Sequence, residues 1–110
     1  MGYYTYYQLE TIPDNQDVKD LIKNKYQEIY NNSLSEGKGR CKWYGHEEDM
    51  LELSKLFPTT LFKLHGKGEE HVDIWDKYFL NGKIQTQRAV IIIPPMSETE
   101  WKSEEEWKNG

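Results

Sequence analysis

Residues 72–93 read VDIWDKYFLNGKIQTQRAVIII and carry the plainest structural signal in the chain. Asn81-Gly82 sits near the middle. Both residues tolerate positive φ, and such a pair between two strand-like segments marks a tight hairpin. Before it, Val72, Ile74, Tyr78 and Leu80 alternate on one face, with Asp73, Trp75, Lys77 and Phe79 on the other. That period of two predicts a strand over 72–80. After it, residues 83–93 predict a second strand. This one ends in Ala89-Val90-Ile91-Ile92-Ile93, an apolar run expected of a strand buried on both faces.

Working upstream, Gly66-Lys67-Gly68-Glu69-Glu70 predicts a turn and Leu61 to His65 a strand. Residues 47–57 predict a helix. Glu47, Glu48 and Asp49 occupy its first turn, where carboxylates suit the dipole, and Pro58 stops it. Arg40 to Tyr44 reads as a short strand. Val18, Leu21, Ile22, Tyr26, Ile29 and Tyr30 keep helical spacing and predict one helix over about 15–31, with Asp14 as its N-cap. Residues 3–12, YYTYYQLETI, predict the first strand, because Tyr, Thr, Leu and Ile suit a pleated, half-buried surface.

The expected order is therefore β-α-β-α-β-β-β. It predicts an α+β two-layer sandwich of ferredoxin-like character, with a mostly antiparallel sheet and two helices on one face. Residues 1–95 form that domain. After Pro94-Pro95 the composition changes to an acidic, Trp-containing tail over 96–110. Ser97 with Glu100, and Ser103 with Glu106, both match a capping box, so a short helix or a segment that folds on contact is expected.

Nineteen acids against fourteen lysines and arginines give a net charge of −5. Nucleic-acid binders are usually basic, because phosphate contacts dominate their affinity. The balance points away from nucleic acid as main partner and toward a partner with a basic surface. Cys41 is the single cysteine, which excludes a disulfide within the chain and fits a reducing compartment. The start MGYYTYYQLE lacks the pattern of a signal peptide, and no apolar run is long enough to span a membrane. A cytoplasmic protein is expected. Oligomeric state is not legible.

No complete active site is evident. His46-Glu47-Glu48-Asp49 resembles a metal cluster, but neighbours on a helix point in different directions. His65, His71 and Asp73 join it only if the fold converges there. Cys41 lies in a predicted strand beside Trp43 and reads as a small core residue. The Gly-rich turn lacks the Lys-Ser or Lys-Thr of a phosphate loop, and its acids would repel phosphate. Glu69, Glu70, Asp73 and Asp76 read as a solvated turn. No cofactor, metal or enzymatic activity is expected; the alternative reading is a small metal-dependent enzyme using His46, His65, His71 and the carboxylates.

Aromatic residues stand out: eight Tyr, four Trp and three Phe. They fill the core, anchor a protein interface, or stack bases on an open sheet. For the last role Tyr4, Tyr6, Trp75 and Phe79 are the candidates. For a protein partner the candidates are Trp101, Glu104, Glu105, Glu106 and Trp107 in the tail, with Glu69 and Glu70 at the turn. A tail of acids and rings either mimics nucleic-acid charge or folds back to cover an edge strand.

Lys42 to Met50, Leu53-Ser54, Phe57-Pro58 and Gly66 resemble a family of small phage and prophage proteins. So do Gly68-Glu69-Glu70, Asp73-Ile74-Trp75, Lys77-Tyr78-Phe79 and Asn81-Gly82-Lys83, as well as the opening residues 1–5. The resemblance implies a ferredoxin-like domain and carries over no catalytic residues. Phage accessory proteins of this size include anti-defence factors such as anti-CRISPR proteins, many of them acidic and acting by binding. It implies a non-enzymatic inhibitor of a host defence macromolecule. The tail after Pro95 lies outside it.

Overall fold

A computed structural model describes residues 2–109. The elements run β1 (Thr5–Ile12), α1 (Gln16–Lys25), α2 (Gln27–Ser33), α3 (His46–Leu56), β2 (Leu61–Gly68), β3 (Ile74–Leu80), β4 (Lys83–Arg88) and α4 (Glu104–Asn109). The four strands form one sheet in the order β1-β2-β3-β4, and every pair is antiparallel. The fold is α+β, with α2 and α3 packed on the sheet.

This order differs from the expected β-α-β-α-β-β-β. The segment Arg40–Tyr44 makes one bridge, Cys41 to Thr5, rather than a strand. Without it, β1 pairs directly with β2 in sequence register, Thr5 opposite Gly68 through Ile12 opposite Leu61. The parallel crossover of a ferredoxin-like sheet is not among the described pairings.

Alternation places the core on one face of β1: Thr5, Tyr7, Leu9 and Thr11 are buried, while Gln8, Glu10 and Ile12 are exposed. Phe62 and Leu64 from β2, and Trp75 and Phe79 from β3, join them. Val18, Ile22, Ile29, Met50 and Leu53 close the core from the helices. Gly66 lies opposite Trp75, and a Cβ there would overlap the indole. The missing side chain is what lets the ring lie flat across β2.

The expected single helix over 15–31 is two. Tyr26 leaves helical geometry at φ −125°, ψ 64°, although no glycine or proline lies nearby. The N-cap is Asn15, not Asp14: its side-chain Oδ1 accepts from the N–H groups of Asp17 and Val18. The expected turn at Gly66 comes later, because β2 continues to Gly68. Asn81 and Gly82 both have positive φ, 45° and 76°, as the hairpin requires.

The largest departure concerns the apolar run. β4 stops at Arg88, and Ala89 makes one last bond, to the Ile74 carbonyl. β3 begins at Ile74, so the chain beyond has no strand to pair with. Val90 to Ile93 are between 65% and 87% exposed instead of buried. The radius of gyration, 19.6 Å, exceeds the roughly 13 Å of a compact domain this long, because this arm projects.

Candidate functional site

Three regions bear on function. The first lies between α3 and the sheet. Lys77, on the helix side of β3, has a side chain only 7% exposed. Its ammonium donates to His46 Nε2 at 2.7 Å and pairs with Glu47 at 3.2 Å. It also sits 4.3 Å from the centre of the Trp75 ring. The His46 imidazole stacks on the same indole, with centroids 5.2 Å apart and planes 15° from parallel.

The other imidazole nitrogen fixes the tautomer. His46 Nδ1 is 2.8 Å from the Trp43 carbonyl oxygen, which only accepts, so Nδ1 carries the hydrogen. Burial lowers the His46 pKa; the Trp43 carbonyl opposes this and the Lys77 charge adds to it. The Tyr7 hydroxyl donates to the same carbonyl at 3.1 Å, and burial pushes its pKa up to about 12. Trp43 Nε1 in turn donates to Asp49 at 2.7 Å. Among the described residues, no buried side-chain nitrogen or oxygen lacks a partner. The cluster is thus a closed polar clamp joining α3, β1 and β3.

Of the histidines, His46 alone enters this cluster. His65 is on the opposite face of the sheet, 2.7 Å from Asp76. His71 is in the exposed turn. Among the described residues, no group of three or more His, Cys, Asp or Glu is placed to hold a metal ion. Cys41 is half-buried, and burial raises its thiol pKa, which disfavours the thiolate.

The second region is the sheet face away from the helices. Of the candidates for base stacking, Trp75 and Phe79 are not on it. They point into the core at 6% and 0% exposure, because strand alternation from Phe79 to Trp75 matches that of Phe62 and Leu64. Tyr6 is on the open face and Tyr4 precedes it, with Lys38 and Lys42 over their rings at 5.2 and 4.9 Å. Tyr78 and His65 are there too. The signal for Tyr78 was present, since it alternates out of phase with Trp75 and Phe79.

The third region is the arm. Trp101 and Trp107 are 72% and 70% exposed. Glu104, Glu105 and Glu106 form the first turn of α4. Ser103 and Glu106 bond reciprocally: Ser103 Oγ donates to Glu106 Oε1 and accepts from the Glu106 N–H. Glu69 and Glu70 do not join this acidic segment. They hold the residues just before β1 instead: Tyr4 N–H donates to Glu69 at 3.1 Å, and Glu70 N–H donates to the Tyr3 hydroxyl at 3.0 Å. Among the described residues, no hydrogen bond or ion pair joins α4 to the body.

No described helix is long and apolar enough to cross a membrane. No protein-family model, no curated protein and no solved structure matches the chain.

Proposed function

We propose that the protein acts by binding, without chemistry of its own, and that the C-terminal arm meets the partner. The observation that carries this is the exposure of Val90, Ile91, Ile92, Ile93, Met96, Trp101 and Trp107 on one continuous segment. Scattered exposed apolar residues are ordinary, but a contiguous set calls for an occupant. The reactive-looking groups support the same view: His46 and Lys77 are engaged with each other and with their neighbours.

The arm has two parts with different chemistry. Val90 to Ile93 is a strand-forming run beyond the last sheet bond, which Ala89 makes, and is suited to adding onto a partner's sheet edge. Residues 96–109 hold five carboxylates, two lysines and two tryptophans. Rings anchor in pockets while the acids meet a basic surface. With the resemblance to small phage proteins, the sharpest form is an anti-defence factor of the bacterial cytoplasm. Its arm occupies the basic nucleic-acid channel of a host complex such as a CRISPR effector.

The test is affinity capture from bacterial lysate with three baits: the full chain, the chain lacking 96–110, and Trp101→Ala with Trp107→Ala. A partner held by the full chain and lost from both variants supports the arm. A partner held equally by all three removes it. Release of the captured partner by added nucleic acid supports the channel-occupying form.

A further inference from the structure

The net charge of −5 hides a segregation. Helices α1 to α3 carry the acids Asp17, Asp20, Glu28, Glu47, Glu48, Asp49 and Glu52 against Lys19, Lys23, Lys25 and Lys55, and so are acidic on balance. The open face of the sheet instead carries Lys63, Lys67 and Lys83 against Glu10 and Asp76. Asp76 is already engaged, by His65 at 2.7 Å and Lys63 at 4.0 Å. Lys38, held over Tyr6, adds a further ammonium at the β1 edge.

Register then sets the rings. Tyr6 on β1 pairs with Lys67, so His65, two residues earlier on β2, is its diagonal neighbour. His65 pairs with Asp76, so Tyr78 on β3 is the next diagonal neighbour. Tyr78 pairs with Gln85, and Lys83 on β4 is diagonal to it. Diagonal cross-strand neighbours on one face are roughly 7–8 Å apart. Tyr6, His65, Tyr78 and Lys83 therefore form one line across all four strands, with Lys67 and Lys63 on either side of His65.

We propose that this face is a stacking platform for a single strand of nucleic acid, laid along the Tyr6–His65–Tyr78 diagonal. Rings spaced this way suit successive unstacked bases, whose flat faces bind aromatic planes with little sequence preference. The lysines beside the line are placed for the phosphates between those bases. Gln85 and Gln87 on β4 face the same side and offer amides to base edges. A duplex does not fit, since its bases are stacked inside. The proposal uses residues separate from the arm, so the two stand or fall independently.

The test is fluorescence anisotropy of short end-labelled oligo-uridine and oligo-deoxythymidine at low salt, with a duplex of equal length alongside. Binding of either single strand, weakened by added salt and exceeding that of the duplex, is expected; comparison of the two shows whether the 2′-hydroxyl contributes. Tyr6→Ala and Tyr78→Ala are each expected to weaken binding by about tenfold or more, the size of one base–ring stack. Lys63→Glu with Lys67→Glu should abolish it, and Lys25→Glu on α1 should leave it unchanged. Thermal melts confirm that each variant is folded. No anisotropy change with either strand, duplex binding as tight as single-strand binding, or full affinity in both folded tyrosine variants would overturn the proposal.

Discussion

Lys77 Nζ lies 2.7 Å from His46 Nε2, an ammonium donating to a neutral imidazole beneath the sheet. The imidazole is thereby committed to its uncharged form. Protonating Nε2 would remove the acceptor and bring two cations together.

A pH dependence follows from this contact. The folded chain holds a proton on His46 less readily than the unfolded chain, whose imidazole titrates near 6.5. Between the lowered folded value and 6.5, the unfolded state binds more protons. Stability is therefore full above about pH 6.5 and falls as pH drops below it. Thermal melts at pH 7.5 and 5.5 check this. His46→Gln, which keeps a donor for the Trp43 carbonyl, should show a smaller loss across that interval. An unchanged loss would place the effect on other groups.

Tyr7 gives a second readout of the same clamp. Its hydroxyl, buried and donating to the Trp43 carbonyl, should stay protonated until about pH 12. Absorbance at alkaline pH should show a late tyrosine ionisation step near pH 12. Tyr7→Phe should delete that late step and cost about 1 kcal/mol, the net worth of one neutral hydrogen bond. Its ring contacts with Trp43 and Trp75, at 5.2 and 6.0 Å between centroids, would survive.

Gly66 tests whether Trp75 is fixed in place. A methyl group there would overlap the indole, which is held on its other flank by His46 and Lys77. Moving the ring would disturb its contacts with His46, Tyr7 and Lys77, so Gly66→Ala should destabilise by roughly 1–3 kcal/mol, as overpacked cores do. Denaturant melts measure it. A neutral result would mean that the Trp75 ring can shift.

Local pattern carried much of this fold. The alternation of β1, the Asn81-Gly82 hairpin and the helix at 46–56 are all legible, since each depends on residues close in sequence. Three features depend on remote partners and were not. Residues 40–44 look like a strand but find only Thr5 to pair with. The break at Tyr26 has no local mark. The apolar run after Arg88 suggests a central strand, yet β3 begins only at Ile74 and offers it no partner. The candidate site follows the same rule. Tyr6 as a sheet-face ring and the change of composition after Pro95 were legible, but not that Trp101 and Trp107 stay exposed, and the His46–Lys77 contact spans 31 residues and needed the packing of α3 on β3.

The arm makes a final prediction about the chain alone. β4 is an edge strand with every residue exposed, and it runs directly into Ala89 to Ile93. An edge of free backbone groups continued by β-branched apolar residues is a template for pairing with another chain. With no partner present, a second copy is the available occupant, and Pro94-Pro95 limits the pairing to the residues before them. Sedimentation of the purified protein should therefore show self-association that grows with concentration. Ile91→Lys with Ile92→Lys places two charges in the run and should return the protein to a monomer without lowering its melting temperature, since neither side chain packs in the core. Unaltered self-association in that variant would locate the contact elsewhere, with the α2–α3 cleft lined by Tyr26, Ile29, Leu53 and Leu56 the next place to mutate.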